Sequence, residues 1–507
     1  MRSTDEQHAP AVGAVPPDHA EVDPSLRRAV NATLMPGFTG PELPAWLAAE
    51  LADGLGGVCL FGSNVDNPAQ VRALTDAIHA ANRDAVVATD EEGGDVTRLH
   101  HRDGSPYPSM AYLGRLDDET LTETVGAAIG AELRAVGIDL NVAPDADVNS
   151  NPRNPVIGVR SFGADSSLVA RHVAAYTRGL QSAGVGASAK HFPGHGDTAT
   201  DSHVSLPTLT ADAATLDVRE LPPFDAAVRA GTLAVMTSHL LVPAIDSRWP
   251  TTFSSAVLGE LRRRSCFTGA IVSDALDMAG ASAGRGVPAA AVLALAAGVD
   301  LLCLGNDLGR GQVIRVRDEI LGALASGRLS AARVFEAAGR VGALASGVRR
   351  LRANATADIE APPALTPDGF WRRGPVRAVT APLLLRLGSP AGIAAGETPW
   401  GVAGHLASEI EAALPGAICS TVDDLATLSA VLEDHPDRPL VVQGRDLSRV
   451  AFLRDASALV LRRRPHALMV ELGWPDHDGP SRIDVATYGS GRATAGALIR
   501  LLADGAA

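Results

Sequence analysis

The chain is organised around one stretch, which reads Lys190-His191-Phe192-Pro193-Gly194-His195-Gly196-Asp197-Thr198 and continues as Ala199-Thr200-Asp201-Ser202-His203. It follows the apolar, small-residue run 184–189, which is typical of a buried strand. Proline and glycine then prevent a regular element from continuing, so the histidines and aspartates are expected on a loop held by a rigid scaffold. Catalytic groups concentrate on such loops, and the stretch is therefore a candidate site.

Two other interpretations of these histidines are open. A single histidine near a core is usually a hydrogen-bonded structural residue, although a cluster of them weakens that interpretation. The same histidines and Asp197 are also candidate zinc ligands. Neither a His-Glu-x-x-His helix nor paired cysteines accompany them, so we expect no metal.

Length and charge limit the class of protein. The 507 residues are 46% hydrophobic, which is enough for two or three domains with cores of their own. The formal net charge is −14, and the arginine runs 262–264, 349–352 and 462–464 are short and scattered through an acidic background. Nucleic-acid binding is therefore disfavoured, because it requires a concentrated basic surface.

Cysteine usage and the N-terminus bear on the compartment. Three of the four cysteines lie in apolar runs, where a free thiol behaves as a small hydrophobe, so a reducing compartment fits. Residues 1–25 lack the basic start and apolar core of a secretory signal, and we expect a disordered tail there. The apolar run 287–304 is interrupted by Pro288 and Asp300, which favours a buried helix and strand over a membrane span. We therefore expect a cytoplasmic protein without a membrane partner.

From residue 34 onward the sequence repeats one pattern, a short apolar run, a polar loop and a segment of helical period. Strands that alternate with helices indicate a parallel sheet, and eight such units indicate a (β/α)8 barrel. The predicted strands are 34–38, 57–61, 85–89, 138–142, 186–189, 233–237, 270–273 and 301–304. The barrel is expected to occupy residues 26–355.

Polar residues follow several of these strands at their carboxyl ends. Asp90 to Gly94 follow the third strand, Lys190 and His191 the fifth, and Asp274 the seventh. In this fold the carboxyl ends meet on one face, and that face carries the functional residues. The sequence therefore predicts one site on this face of the barrel.

A second, smaller domain is predicted after the barrel. The segment 356–375 contains Ala361-Pro362-Pro363 and is predicted to be a linker, and residues 376–507 are predicted to form an α/β sandwich domain. Its predicted strands are 378–387, 440–442, 458–461, 467–472 and 483–487, and its predicted helices are 401–414, 448–455 and 493–503. The turn Gly489-Ser490-Gly491-Arg492 is able to cradle a phosphate, but a lone glycine turn before a helix more often reflects plain packing geometry.

A carboxylate at the end of the seventh strand suits the cleavage of an acetal. That chemistry needs one group to protonate the leaving oxygen and another to stabilise or attack the oxocarbenium-like centre. Asp274 lies in the run Ile271-Val272-Ser273-Asp274, where its side chain can point towards the barrel axis. A cap of the next helix is the alternative role for this aspartate. Asp277, three residues later, is expected to face elsewhere.

The predicted barrel carries four distinctive motifs, which are Lys190 to His203, Asp90 to Gly94 with Arg98, Arg160-Ser161-Phe162, and Ser273-Asp274. Together they resemble glycoside hydrolase family 3, and within it the bacterial β-N-acetylglucosaminidases. Those enzymes carry a Lys-His-Phe-Pro-Gly-His-Gly signature followed by Asp-Ser-His. The resemblance covers residues 34 to 350, and the second domain is similar to the α/β sandwich that many members append.

The resemblance implies catalysis through a covalent glycosyl-enzyme intermediate. Asp274 is then the nucleophile and His203 the general acid/base, with Asp201 as the partner of His203. A carboxylate beside an imidazole orients it and favours its protonated form, so the histidine can deliver a proton near neutral pH. Both residues of this pair lie on a loop, which can bring them in when substrate binds. No cofactor is implied.

The same resemblance implies a subsite for the terminal sugar. Its expected residues are Asp90, which accepts hydrogen bonds from sugar hydroxyls, and Arg98, Arg160, Lys190 and His191, which donate to the ring substituents. His195 and Asp197 are expected to shape the loop. Glu91 stands where the family more often has Gln or His, and this departure adds an ionisable group beside Asp90.

The leading hypothesis is a retaining exo-β-N-acetylglucosaminidase that removes terminal β-linked GlcNAc from peptidoglycan- or chitin-derived fragments. One alternative is a β-N-acetylglucosaminide phosphorylase, because a histidine acid/base adds no negative charge beside an incoming phosphate. Another is a β-glucosidase or xylosidase of the same family. A silent sugar-binding barrel and a metal-dependent hydrolase are the other classes considered. The expected partner is a small carbohydrate substrate.

Overall fold

The computed structural model describes residues 23–200, 205–357, 359–389, 392, 394–396 and 398–506. Residues 1–22 of the predicted tail therefore lie outside the described residues. Asp201 and His203 lie outside them as well. Among the described residues, no helix is long and apolar enough to span a membrane.

The N-terminal part of the chain contains ten strands among its described residues. They are β1 (Leu34–Met35), β2 (Gly57–Leu60), β3 (Val86–Thr89), β4 (Leu140–Asn141), β5 (Gly186–Phe192), β6 (Ala234–Thr237), β7 (Leu241–Val242), β8 (Asp246–Pro250), β9 (Ala270–Val272) and β10 (Leu302–Cys303). Strands β7 and β8 form a separate antiparallel hairpin. The other eight have their described residues buried throughout, as expected for strands covered on both faces.

The eight buried strands close into a barrel. Strands β2, β3, β4, β5, β6 and β9 pair in parallel in this order, and β1 pairs in parallel with β10. A bridge between Val272 and Leu301 joins β9 to β10, and the Cys59 N–H donates to the Pro36 carbonyl at 3.1 Å, which joins β2 to the end of β1. The predicted (β/α)8 barrel and its eight strands are therefore confirmed.

Helices surround the barrel and bury their apolar faces against it. They are α1 (Pro24–Asn31), α2 (Ala45–Ala52), α3 (Pro68–Ala81), α4 (Met110–Leu116), α5 (Glu119–Ala135), α6 (Ser166–Ser182), α7 (Ala213–Thr215), α8 (Pro222–Arg229), α9 (Ser255–Arg263), α10 (Ala279–Ser282), α11 (Gly286–Ala297), α12 (Arg310–Ala325) and α13 (Ala331–Ala353). The side chain of Asp118 caps α5 and that of Asp165 caps α6. Helices α5 and α6 can approach closely because Gly179 has no side chain. A Cβ at this position would lie only 2.2 Å from the Glu123 carbonyl oxygen.

The second domain is a six-stranded sheet between two layers of helices. Its strands are β11 (Trp371–Arg372), β12 (Leu383–Leu387), β13 (Ile418–Val422), β14 (Leu440–Gly444), β15 (Leu468–Glu471) and β16 (Val485–Ala486), and its helices are α14 (Val402–His405), α15 (Ala407–Ala413), α16 (Leu425–Asp434), α17 (Ala451–Arg463) and α18 (Arg492–Asp504). Alternation along β12 places Leu383 and Leu385 in one apolar cluster and Leu384 in the other. The predicted α/β sandwich is confirmed.

Some predicted elements of this domain are wrong. Residues 458–461, predicted as a strand, lie inside helix α17, where Ala456 and Val460 face the core one helical turn apart. The strand β13 and the helix α16 were not predicted. Strand β13 is the edge strand of the sheet and has two exposed residues, so it lacks the continuous apolar run that marks the buried strands.

The second domain faces the end of the barrel at which the carboxyl ends of the strands lie. Its sheet order is β13-β12-β14-β15-β16-β11, a doubly wound order with its switch point between β12 and β14. Ligand crevices of such sheets lie at the carboxyl ends of the strands beside that point. Here that edge encloses a cavity of about 300 Å³ with the barrel, lined by Ser389, Arg445 and Trp474 on one side and by Asp95 and residues 154–160 on the other.

Candidate active site

A cavity of about 610 Å³ lies at the carboxyl ends of the barrel strands. Six predicted site residues line it, namely Asp90, Arg98, Arg160, Lys190, His191 and Asp274. Apolar side chains complete the wall, among them Phe61, Val142 and Met236. The other two predicted residues, Asp201 and His203, lie outside the described residues, and the loop that leads to them is described as far as Thr200.

Asp90 follows β3 and pairs with two cations. The Lys190 ammonium lies 2.7 Å from Asp90 Oδ1, and Arg98 Nη2 lies 3.3 Å from Asp90 Oδ2. Burial alone would raise the pKa of Asp90, but the charges of Lys190 and Arg98 hold that pKa well below its ordinary value. Asp90 is therefore an ionised acceptor throughout the physiological range.

Glu92 connects Lys190 to Arg160. Glu92 Oε1 lies 2.6 Å from Lys190 Nζ, and the guanidinium of Arg160 pairs with both oxygens of Glu92, at 2.8 Å through Nη2 and 2.9 Å through Nε. Burial opposes the charge, but the neighbouring cations lower the pKa of Glu92 to about 2. This bidentate pair fixes the plane of the Arg160 guanidinium at the cavity wall.

Strand β5 carries Lys190 and His191 into the cavity. His191 Nδ1 lies 2.7 Å from Asp147 Oδ2, and His191 Nε2 lies 3.4 Å from Arg160 Nη2. Burial lowers the pKa of His191 to about 4, so the imidazole is neutral near pH 7. These contacts favour the tautomer that donates from Nδ1 to Asp147 and accepts at Nε2 from Arg160.

Asp147 also holds the start of the loop after β5. Its Oδ1 accepts from the backbone N–H groups of His191 at 3.3 Å and of His195 at 2.6 Å. His195 Nδ1 lies 2.7 Å from the Thr198 hydroxyl, and Asp197 pairs with Arg219 at 2.5 Å. His195 also lines the cavity. These contacts agree with the loop-shaping role expected for His195 and Asp197.

Asp145, Asp147 and His191 form a buried group whose ligand atoms lie within 4.8 Å of one another. Burial and the neighbouring Asp147 raise the pKa of Asp145 well above its ordinary value, and burial raises the pKa of Asp147 to about 6. One acid of the pair is therefore protonated near neutral pH, because two adjacent buried carboxylates repel each other. Asp147 is already used by the hydrogen bonds from His191 and His195, so the group is better suited to orienting His191 than to binding a metal ion.

Asp274 follows β9 and lines the cavity. Its Oδ1 accepts from the N–H of Ala275 at 2.8 Å, which fixes the carboxylate at the strand end. Asp277 lines the same cavity, so the expectation that it faces elsewhere is wrong. The segment between the two aspartates forms a turn before α10, rather than a helix that would separate their directions.

Glu91 has a structural position. It is buried, and its Oε2 accepts from the backbone N–H groups of Arg98 at 2.8 Å and Leu99 at 2.9 Å. Burial raises the pKa of Glu91. Glu91 therefore ties the two ends of the loop 90–98 to each other.

Comparison with known proteins agrees with this geometry. The family model described as the Glycosyl hydrolase family 3 N terminal domain matches residues 42–344, which include the barrel strands from β2 to β10. This match covers more than half of the chain. The chain belongs to glycosyl hydrolase family 3.

Several known proteins are similar to this chain. A β-hexosaminidase of Methylococcus capsulatus is 40% identical over 254 residues, covering 50% of this chain and 75% of that protein. β-Hexosaminidase A of Pseudoalteromonas piscicida is 36% identical over 269 residues, covering 49% of this chain and 45% of that protein, so the match spans less than half of that relative. A family 3 β-N-acetylglucosaminidase from Paenibacillus sp. str. FPU-7 has a solved structure with a TM-score of 0.81 and 30% identity, covering 94% of this chain and 96% of that one.

Sequence reasoning missed two important residues of this family 3 barrel. Glu92 contacts the predicted site residues Arg160 and Lys190, and Asp147 contacts His191 and the backbone of His195, although neither acid was given a role. A signal was present for both. Glu92 belongs to the acidic run after β3, and Asp147 lies two residues after Asp145 in the segment that follows β4, so both follow strands whose carboxyl ends face the cavity.

Proposed function

We propose that this protein is a retaining exo-β-N-acetylglucosaminidase that hydrolyses terminal β-linked GlcNAc from peptidoglycan- or chitin-derived fragments. The observation that carries the proposal is that six predicted site residues line one cavity of about 610 Å³ at the carboxyl face of the barrel. The names of the β-hexosaminidases and of the β-N-acetylglucosaminidase to which the chain is similar support the sugar specificity.

The polar wall of the cavity suits a polyhydroxylated ligand. Asp90 accepts hydrogen bonds from sugar hydroxyls, because the adjacent cations keep it ionised. Lys190 and Arg98 lie on either side of that carboxylate and donate to the same or neighbouring hydroxyls. Arg160, held in its plane by Glu92, donates to other ring substituents. Neutral His191 has its one N–H on Asp147, so it offers the sugar an acceptor at Nε2 rather than the donor that the sequence suggested. These groups are organised before substrate binds, which lowers the entropic cost of binding.

In the first step, the Asp274 carboxylate attacks the anomeric carbon while the bond from that carbon to the leaving oxygen breaks. His203, as an imidazolium oriented by Asp201, donates its proton to the leaving oxygen, and the aglycone departs as an alcohol. The sugar is then an ester of Asp274. Neutral His191 is unsuited to the acid role because burial lowers its pKa to about 4.

In the second step, water replaces the aglycone. His203, now neutral, takes a proton from water while the water oxygen bonds to the anomeric carbon and the bond to Asp274 breaks. Two inversions at the same carbon leave the product in the β configuration. GlcNAc departs, and Asp274 and the His203 imidazolium are regenerated.

Hydrolysis is favoured over phosphorolysis by the charge balance of the described cavity. Its cations Arg98, Arg160 and Lys190 are each paired with Asp90 or Glu92. In the second step the Asp274 carboxylate is regenerated as the acceptor attacks its ester, and a phosphate dianion would repel that developing charge while these cations already serve Asp90 and Glu92. A neutral water molecule meets no such penalty.

A cytoplasmic location is part of the proposal. All four cysteines are free thiols, and the two exposed ones, Cys266 and Cys419, are not part of any disulfide. Such thiols suit a reducing compartment.

The first test is an assay of the purified protein on aryl β-GlcNAc and aryl β-glucoside in parallel, with and without phosphate and with a chelator. We expect free GlcNAc at a rate independent of phosphate and chelator. Release of GlcNAc-1-phosphate would establish a phosphorylase, and release of glucose alone would contradict the proposed sugar specificity. Loss of activity with chelator would contradict the metal-free mechanism.

The acid role of His203 has its own test. His203→Ala should slow substrates with poor leaving groups by a factor at least about tenfold larger than it slows aryl glycosides, because activated leaving groups need little proton assistance. Product analysis on an aryl glycoside and on a GlcNAc disaccharide gives the two rates. Equal losses on both would contradict the role.

A further inference from the structure

We propose that the second domain positions the sugar-binding loop of the barrel, by means of the turn 489–491, which grips the carboxylate of Asp95. Asp95 and Ser490 are then positioning residues for the reaction. This inference rests on the proposed function, because it takes Asp90 and Arg98 as sugar-binding residues. It also gives a role to the glycine turn, which has the sequence of a phosphate-binding turn.

The turn binds an anion that belongs to the barrel. The Ser490 N–H donates to Asp95 Oδ1 at 2.7 Å, and the Ser490 hydroxyl donates to Asp95 Oδ2 at 2.9 Å. Helix α18 begins two residues later, so the carboxylate also lies near the positive end of that helix. Asp95 therefore occupies the place that a phosphate would take.

The backbones of the two domains touch at this turn. A Cβ at Gly491 would lie 2.8 Å from the Gly94 carbonyl oxygen, and a Cβ at Gly489 would lie 2.9 Å from the Ser109 hydroxyl. That hydroxyl in turn donates to the Tyr488 carbonyl. Glycine is thus required on both sides of Ser490 because any side chain there would push the turn away from the barrel.

Asp95 lies at the tip of a short, stiff loop. The loop 90–98 closes on itself through Glu92 N–H to the Val96 carbonyl at 3.1 Å and through Val96 N–H to the Gly93 carbonyl at 3.3 Å. At its base, the N–H of Arg98 donates to Glu91. A displacement of the tip is therefore transmitted to Asp90 and Arg98, because these hydrogen bonds make the loop move as one unit.

A second contact holds the base of the same loop. Arg98 Nη1 donates to the Ala394 carbonyl of the second domain at 3.0 Å, while Arg98 Nη2 faces Asp90. Ala394 also lines the main cavity. The second domain thus contacts the loop at its tip, through Asp95, and at its base, through Arg98. This arrangement fixes where the sugar-binding groups stand without supplying the nucleophile.

The test uses the full chain with the variants Asp95→Ala, Ser490→Ala and their combination, assayed on aryl β-GlcNAc. We expect KM to rise about tenfold for Asp95→Ala and about threefold for Ser490→Ala, with kcat within about twofold of wild type, because the nucleophile lies on a different strand. Once Asp95 is Ala, Ser490→Ala should change KM no further, since the two residues act through one contact.

Tyr112→Phe is the matched control. It removes the hydrogen bond that the Tyr112 hydroxyl donates to the Thr366 carbonyl at 2.7 Å and the one that it accepts from the Thr366 N–H at 3.2 Å. These bonds also join the barrel to the segment before the second domain, but they do not involve the loop. It should lower Tm and leave KM unchanged. If Asp95→Ala does not fold, Asp95→Asn replaces it in the same assays, because its side chain can still accept from the Ser490 N–H.

Hydrogen exchange of the amides in residues 90–98 gives a readout that needs no turnover. Exchange should be faster in Asp95→Ala than in wild type and unchanged in Tyr112→Phe. An unchanged KM together with unchanged exchange would overturn the proposal, and so would a fall in Tm alone. A wild-type protein inactive on β-GlcNAc would defeat the proposed function, whereas exchange would still decide whether the second domain orders the loop.

Discussion

Glu92 controls the charge balance of the cavity. It accepts hydrogen bonds from Lys190 and Arg160, and both cations are almost fully buried. Because an uncompensated buried charge costs more than the pair contributes, these cations depend on their carboxylate partners. Together with Asp90, Glu92 compensates most of the positive charge of Lys190, Arg160 and Arg98 at the sugar site, which suits a neutral ligand.

Asp274→Ala should lower kcat on aryl β-GlcNAc by at least about a thousandfold, because no other group then forms the covalent intermediate. Azide is small enough to enter the vacated space, attack the anomeric carbon directly and give an α-glycosyl azide. Kinetics with and without azide, together with product analysis, check both points. Asp277→Ala is the control, since Asp277 lines the same cavity three residues away. Turnover retained in Asp274→Ala would remove Asp274 as the nucleophile.

The two buried cysteines give a chemical probe of the cavity. Cys59 and Cys303 line it, and a hydrogen bond with Cys59, together with burial, raises the pKa of Cys303 well above its ordinary value. A mercurial should still inactivate the enzyme when the exposed Cys266 and Cys419 are replaced by Ser, and GlcNAc should slow that inactivation. Residual activity against time measures it. Resistance of the Cys266→Ser/Cys419→Ser protein would contradict the prediction.

At the scale of elements, the loop after β5 is held from several sides. Asp147, which follows β4, binds the N–H groups of His191 and His195, and Asn154 Nδ2 donates to the His195 carbonyl at 2.8 Å. Asp197 adds an ion pair to Arg219. The described part of the loop is therefore fixed as far as Thr198.

Glu220 lies beneath this loop and makes its stability depend on pH. Burial raises the pKa of Glu220 to about 7, against an ordinary value of 4.5, so the folded protein holds a proton that the unfolded chain releases between these values. Stability should therefore fall as pH rises through this window. The free energy of unfolding should fall by at most about 3 kcal/mol between pH 5 and pH 8, and Glu220→Gln should remove this fall.

Urea unfolding at pH 5 and pH 8 measures this effect. The gain from Glu220→Gln should be larger at pH 8, whereas Glu433→Gln, at an exposed position, should give the same small change at both values. A Glu220→Gln effect independent of pH would contradict the assignment.

At the scale of the whole molecule, the barrel and the second domain share a core. Tyr112 belongs to helix α4 of the barrel but is buried in the main apolar cluster of the second domain, where its ring meets Phe370 with centroids 6.1 Å apart. Its hydroxyl donates to the Thr366 carbonyl. Because a side chain of the barrel is part of the core of the second domain, loosening of either domain disturbs the other.

Thermal unfolding should therefore occur as one transition in the wild-type protein. Tyr112→Ala should cost about 3–5 kcal/mol through the cavity it leaves, and it should separate the unfolding of the two domains. Tyr112→Phe should cost less, about 1–3 kcal/mol, since it removes the two hydrogen bonds with Thr366 and keeps the packing. Differential scanning calorimetry checks both variants. Two transitions in the wild type, or one unchanged transition in Tyr112→Ala, would contradict the shared core.

The barrel could be predicted because its signals are local. Each of its eight strands is a short buried run followed by a helix, so burial and periodicity mark it in the sequence. The second domain was harder. Residues 458–461 form an apolar run of strand-like length, yet helix α17 takes them, because its apolar positions recur at helical spacing and pack on one face of the sheet.

Site residues were predictable in position rather than in partnership. The sequence placed Asp90, Lys190 and Asp274 at strand ends, and the cavity contains all three. It did not predict that Asp277 lines the cavity too. The turn after β9 brings the Asp277 side chain to the same side as Asp274, and this turn was not predicted from the sequence. The roles of Asp201 and His203 stay predictions, because both lie outside the described residues.

The sequence by itself determined the parallel barrel, its eight strands and the face on which the polar residues gather, because carboxyl ends of parallel strands share one rim. Only the tertiary structure decided which charges pair and what the second domain touches. The Lys190–Asp90 pair spans 100 residues of chain, and the Ser490–Asp95 contact spans 395. Local pattern reports how each segment is buried, whereas contacts over such separations depend on how finished elements pack.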